Sequence, residues 1–222
     1  MTRRRSSGII LHPTSLPGPY GIGDLGPEAH RWLDWLAAAG ATYWQMLPLG
    51  PTGYGDSPYS CFSAFAGNPY LVSPDLLADE DYIAAADLEG APAFAPDRVD
   101  YGAVIPWKLA LLDRAFDRFC AAPSDDHADR YAAFRQRHAA WLDDYALFMA
   151  LKEAHGGGPW TDWPAPLRHR RPPALAETRA ALAGETERQA FRQFLFFEQW
   201  ERLRRRAHRL GLRLMGDAPM YV

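Results

Sequence analysis

Apolar residues along the chain fall into three short continuous runs and several helical stripes. SGIILHP (7–13) predicts a short buried strand, and a loop stiffened by Pro13, Pro17 and Pro19 follows it. Pro27 suits a first helical position. Ala29, Trp32, Leu33 and Leu36 then recur at i, i+3, i+4 and i+7, so one face of that helix is apolar. Gly40 ends it. ATYWQMLPLG (41–50) is almost continuously apolar, as a parallel strand covered on both faces is. Strand, helix and strand in this order predict a βαβ crossover, right-handed by default.

The pattern then changes. Residues 51–103 are rich in proline, glycine and aromatic residues with little periodicity, and GNPYLVSP (67–74) reads as a short extended piece. Helices take over from Ile105. Leu112, Ala115, Phe116 and Phe119 mark one face, and Phe134, His138, Trp141, Tyr145 and Phe148 mark another. Residues 155–173 hold five prolines and three glycines and break the helical pattern. A last helix runs from about Ala174 or Thr186 to Leu210, with Glu198–Arg202 and Glu201–Arg205 as expected i, i+4 pairs. Arginines between 202 and 209 suit a helix C-terminus and a solvated face better than a polyanion site. LRLMGDAPMYV (212–222) is the third predicted strand. Its apolar end leads into no crossover, so the sequence reads as the first part of a longer protein.

Composition narrows the function classes. A net charge of −3 gives no electrostatic case for nucleic acid. No apolar run approaches the ~20 residues needed to span a membrane. The basic start, MTRRRSSGIIL, is followed by too short an apolar run for a signal peptide. Cys61 and Cys120 form neither a CxxC pair nor a metal spacing, which suits a reducing cytoplasm. The departure is aromatic content, 13% with 8 Trp and 10 Tyr. It fits either a large aromatic core or platforms for a flat ligand.

Two motifs compete for that ligand. GIGDLG matches G-x-G-x-x-G at Gly21, Gly23 and Gly26. However, Pro13 to Tyr20 separate it from the strand, and no acidic residue lies near Gln45 to take a ribose. Glycines demanded by a tight loop explain the match better than a nucleotide does. PTGYGDSPYS (51–60) follows the second strand, at the end where βα architectures collect function. Tyrosine faces can cover the C–H side of a sugar ring, while carboxylate, hydroxyls and glycine amides take its hydroxyl belt. Burial of about 50 Å² of ring face is worth roughly 1 kcal/mol, enough for positioning. A polar flat ligand such as a glucan and simple packing of the loop on its own domain both fit these residues.

GIILHPTSLPGPYGIGDLG, YWQMLPLGPTGYGDSPYSCFSAFAGNPYLVSP, DYALFMALKEAHGG, QFLFFEQW and MGDAPMYV together resemble the N-terminal part of bacterial 4-α-glucanotransferases. This is the amylomaltase or disproportionating-enzyme family of the α-amylase clan. The resemblance spans nearly the whole chain. It implies an α/β fold: the first three strands of a (β/α)₈ TIM-type barrel, at 8–12, 42–48 and 212–221, left incomplete in this chain. Residues 1–50 and 190–222 would belong to the barrel, and 51–189 to a largely helical insertion between strands two and three. The implied reaction is retaining transfer of α-1,4-glucan segments between maltodextrins, amylose or similar glucans, with no cofactor and no metal. The catalytic carboxylates of the family follow strands four and five, so none is expected here and the chain alone is expected to be inactive. Tyr59 matches a tyrosine that stacks on sugar at the cleavage site, and Asp56 and Ser57 match neighbouring glucan-contacting positions. Asp217 matches an aspartate that supports an active-site arginine. Tyr54 and Tyr101 resemble aromatic positions of a second, surface glucan site. An α-glucan hydrolase of the same clan and a non-catalytic glucan-binding module are the alternatives.

Overall fold

The computed structural model describes residues 5–222; Arg3 and Arg4 of the basic N-terminal stretch lie outside them. In chain order the strands and α-helices are β1 (Gly8–Ile10), α1 (Pro27–Ala38), β2 (Tyr43–Gln45), α2 (Pro74–Asp79), α3 (Tyr101–Ala121), α4 (Asp125–His138), α5 (Leu142–Ala154), α6 (Ala165–Arg168), α7 (Pro172–Ala181), α8 (Ala183–Arg209) and β3 (Arg213–Met215). The three strands form one parallel sheet in the order β1-β2-β3. It is an α/β fold with many helices.

Each strand is three residues long, shorter than the expected 8–12, 42–48 and 212–221. Pro13, Pro48 and Pro219 stand just past the strand ends and have no N–H to continue a ladder. In register, Ile9, Trp44 and Leu214 share one face, and Ile10, Gln45 and Met215 share the other. Trp44 is fully buried, its ring edge-on to Trp32 of α1 at 6.3 Å, and its Nε1 donates to the Leu11 carbonyl at 2.8 Å. The opposite face is open: Ile10 is 62% and Met215 45% exposed. Among the described residues, then, the sheet is covered on one face rather than two. Gly8 allows β1 its close approach, because a Cβ there would lie 2.7 Å from the Tyr43 Cβ.

By contact the chain divides into two compact units, Met1–Ala122 with Leu195–Val222, and Pro123–Phe194. The strand-bearing unit is locked by buried polar groups. Lys108 donates to Asp24 Oδ2 at 3.1 Å and to the Val72 carbonyl at 2.7 Å, while Asp24 Oδ1 takes the Gly26 N–H at 2.9 Å. Burial pushes Asp24 up and Lys108 down, and their mutual contact opposes both shifts. Gln199 of α8 accepts the Ser73 N–H and donates to the Ser73 carbonyl. Within the other unit, Tyr131, Phe191 and Phe194 form an aromatic cluster, and Leu147, Leu151 and Trp163 form a second apolar group.

Three local expectations are corrected. The aromatic stripe from Phe134 to Phe148 is not one helix: α4 ends at His138 and α5 begins at Leu142. The stripe survives as a run of tilted and edge-on ring contacts, Phe134–His138, His138–Trp141 and Trp141–Tyr145, across the break. The last helical segment is likewise two helices, α7 and α8, parted at Leu182. The pairs Glu198–Arg202 and Glu201–Arg205 give way to other partners. Arg202 pairs with Glu80, Arg206 reaches both oxygens of Asp34 at 2.7 and 2.8 Å, and Glu201 takes Arg204 at 2.8 Å. A carboxylate brought up by the fold, Glu80, displaces one of the two local pairings, and the nearer Arg204 replaces Arg205 in the other. Arg202, Arg204 and Arg206 of α8 thus have intramolecular partners.

The glycines of GIGDLG have steric causes. Gly21 has φ of +74°. A Cβ on Gly23 would lie 2.1 Å from the Pro13 carbonyl oxygen, and one on Gly26 would lie 2.1 Å from Ser73 Oγ.

Candidate functional site at the strand ends

The loop after β2 folds back on itself. Thr52 and Cys61 form an antiparallel bridge, Gly53 N–H donates to the Ser60 carbonyl at 2.6 Å, and Phe62 N–H to the Pro51 carbonyl at 3.0 Å. Its tip is the short 3-10 turn Tyr54–Asp56, where Gly55 has φ of +65° and Asp56 φ of +53°. Glycine adopts that conformation freely and aspartate tolerates it. The turn projects Tyr54 into solvent at 93% exposure.

The loop is tied to the segment after β3. Ser60 and Tyr221 form a parallel bridge; Met220 and Tyr221 N–H both reach the Tyr59 carbonyl at 3.1 Å, and Cys61 N–H reaches the Tyr221 carbonyl at 2.9 Å. This brings Tyr59 to Asp217. The phenol donates to Asp217 Oδ2 at 2.8 Å, and Asp217 Oδ1 takes the Ala218 N–H at 2.9 Å. That hydrogen bond is the main cause holding the Tyr59 phenol above its ordinary range. Ser57 uses its hydroxyl within the loop, accepting the Tyr59 N–H at 3.3 Å.

The six residues singled out in the sequence therefore separate into groups. Tyr59 and Asp217 are in direct contact. Asp56 and Tyr101 are electrostatic neighbours. Burial raises the Asp56 carboxyl, and burial first, with the Asp56 charge adding to it, raises the Tyr101 phenol while its Thr14 hydrogen bond opposes. Tyr54 stands apart at the tip. Beside Asp217 lies a cavity of about 220 Å³ bordered by Pro48, Ser63, Phe65, Phe197 and Trp200. Sequence reasoning missed Phe65 and Trp200, which no periodicity sets apart from core aromatics. His12 caps the turn Pro13–Ser15, its side chain accepting the Thr14 N–H. Among the described residues no three His, Cys, Asp or Glu side chains are grouped so as to hold a metal ion. No described helix is long and apolar enough to cross a membrane.

A family model described as 4-alpha-glucanotransferase matches residues 11–222. The 4-alpha-glucanotransferase of Thermus thermophilus is 55% identical over 98% of this chain and 43% of its own length, and that of Synechocystis is 45% identical over 100% and 44%. The amylomaltase of Streptococcus agalactiae, solved in complex with acarbose, superposes with a TM-score of 0.91 at 36% identity, covering 99% of this chain and 44% of that one. The amylomaltase of Corynebacterium glutamicum, at 19% identity and a TM-score of 0.77, has the same fold. This chain spans about 43% of the length of the curated relatives it matches. With a family match over nearly its whole length, the chain belongs to the 4-alpha-glucanotransferase family.

Proposed function

We propose that this chain is the N-terminal part of an enzyme that transfers α-1,4-glucan segments between maltodextrins, retaining the anomeric configuration. The observation that carries the reading is the contact between Tyr59 and Asp217 on the side of the sheet where the parallel strands end. A ring fixed there covers the apolar face of a sugar, and the carboxylate and loop hydroxyls meet its hydroxyl belt. Asp56 and Ser57 belong to the same loop. Tyr54 and Tyr101 form an outer contact for long glucans such as amylose.

The sheet is taken as the start of a (β/α)₈ barrel. Its open face, with Ile10, Gln45 and Met215 in one row, suits the layered interior of such a barrel. Residues 1–50 and 190–222 are assigned to the barrel and 51–189 to the insertion between β2 and β3. The compact unit Pro123–Phe194 takes in the later part of that insertion and runs five residues past its end at 189, and 51–122 share the unit of the strands. Retaining transfer needs two carboxylates about 5 to 5.5 Å apart, one as nucleophile and one as acid/base. We assign both to the part of the relatives' length that this chain does not cover. No cofactor is assigned. Cys61 and Cys120 are not joined in a disulfide, which agrees with a cytoplasmic setting.

The test uses the full-length protein with maltotriose, followed by chromatography. Transfer yields glucose together with maltodextrins longer than the donor. Shorter products alone would make the protein a hydrolase, and binding without turnover would make it a glucan-binding module.

A further inference from the structure

The unit Pro123–Phe194 holds a pocket of its own, in which no residue of the candidate glucan site takes part. The proline-rich and glycine-rich break in the helical pattern, residues 155–173, forms the turn Trp160–Asp162 and α6. Together with α5 and α7 these enclose a cavity of about 280 Å³. Its walls are Leu147, Phe148 and Leu151 of α5, Leu167 of α6 and Leu175 of α7. Trp163 lines it too. That indole is buried and fixed, stacked on His155 at 5.3 Å and tilted against Phe148 at 5.5 Å. Trp160 completes the apolar lining and stays 53% exposed. The volume is just below the roughly 300 to 1,000 Å³ usual for small-molecule sites, and such sites are mostly apolar and largely preformed.

The remaining lining residues are charged: Asp144, Arg168 and Arg170. Arg170 pairs with one oxygen of Asp144 at 2.8 Å, and Arg179 pairs with the other at 2.9 Å. Arg168 gives one N–H to the Thr161 carbonyl at 3.0 Å. A guanidinium has five N–H donors, so Arg168 and Arg170 keep donors beyond these bonds. Among the described lining residues two guanidinium groups stand against one carboxylate, and Arg179 draws on that same carboxylate. The rim is therefore positive. Arg170 also has φ of +50°, a left-handed conformation uncommon for arginine. Strained backbone of this kind gathers at ligand sites.

Walls of leucine and indole offer nothing to a sugar hydroxyl, which would lose its water there without replacement. An apolar body gains from the same walls. A carboxylate matches the planar fork of a guanidinium. We propose that this pocket binds a small free carboxylate with an apolar body. The body lies against the leucines and Trp163, and the carboxylate sits on Arg168 and Arg170. The site is separate from the proposed glucan contacts and does not depend on them.

The experiment is calorimetry with octanoate and with octanol on the full-length protein and its Arg168→Gln, Arg170→Gly and Leu175→Trp variants. Melting curves check that each variant folds, and glycine suits the left-handed backbone at position 170. Octanoate should bind at one site per chain, about tenfold or more tighter than octanol, because a hydrogen bond to a charged group is worth at least that factor. Each arginine variant should weaken octanoate about tenfold and leave octanol unchanged. Leu175→Trp fills the cavity and should abolish binding of both. Excess maltose should leave octanoate affinity as it was. The comparison of octanoate with octanol on the wild type requires no variant to fold. No saturable octanoate binding overturns the proposal, and so does equal affinity for octanol. Full octanoate affinity in both arginine variants, or in a folded Leu175→Trp protein, places the ligand elsewhere and overturns it. Displacement by maltose makes the pocket a sugar site instead. Binding to phosphatidylglycerol vesicles without binding of free octanoate makes it a membrane contact, which also overturns the proposal.

Discussion

Tyr59 carries two separable properties: a ring face and a phenol bound to Asp217. The pair is exposed, so its hydrogen bond contributes little beyond orientation. In the full-length protein we expect Tyr59→Ala to slow turnover about 5- to 150-fold, the range for losing ~1 to 3 kcal/mol at the transition state. Tyr59→Phe keeps the face and should remain within a few fold. Equal damage in both would move the function from ring to hydroxyl. Tyr54 makes the cleaner case, because at 93% exposure its ring has little to stabilise in this chain. Tyr54→Ala should leave the melting temperature unchanged, spare maltotriose and weaken use of long maltodextrins. This is because an outer contact helps only a tethered chain long enough to reach it. Equal loss on short and long donors would remove Tyr54 from the glucan surface.

Two elements carry consequences for stability. His30 of α1 lies in the field of Arg206, Arg202 and Arg209 of α8, with Asp34 of its own helix opposing. Burial first, and those guanidinium groups after it, hold its pKa below the ordinary 6.5. The unfolded chain therefore binds this proton more readily than the folded one. The stability this group contributes is complete above the unfolded value and is lost as pH falls toward the folded one. His12 acts in the same direction. We expect His30→Gln to show a shallower fall in melting temperature between about pH 7 and 5 than the wild type. Parallel curves would assign the slope to other groups. In the loop before α1, Gly23→Ala would set a Cβ against the Pro13 and Leu16 carbonyl oxygens, 2.1 and 2.6 Å away. Backbone cannot swing aside as a side-chain tip can, so a loss of about 1 to 3 kcal/mol is expected in chemical denaturation. An unchanged midpoint would mean that the loop relaxes freely.

At the scale of the whole molecule, the barrel reading turns the open sheet face into an interior. Ile10 is 62% exposed in this chain, and a charged residue there would ordinarily cost little. If further strands cover that face, Ile10→Glu in the full-length protein buries a carboxylate without a partner. Refolding yield and melting temperature should then fall sharply, because an unpaired buried charge is strongly unfavourable. A full-length Ile10→Glu protein as stable as the wild type would count against the barrel. The same reading predicts that residues 1–222 alone, incubated with maltotriose, give no products above a blank. Product formation would require an acid pair within these residues.

Local patterning determined a good part of this protein. Continuous apolar runs marked three parallel strands, because a strand against helices needs no polar alternation at its covered positions. The Pro27 start and the i, i+3, i+4 stripe marked α1, because helix geometry repeats within a few residues. The glycine and proline content of residues 51–60 marked a turn-bearing loop after β2. What needed the tertiary structure involved residues far apart in sequence. Tyr59 meets Asp217 across 158 positions, and Arg206 takes Asp34 across 172, in place of purely local partners. His12 Nε2 meets the Pro48 carbonyl across 36 positions. Such contacts arise from how loops converge at the strand ends, and no periodicity of 2 or 3.6 residues encodes that convergence.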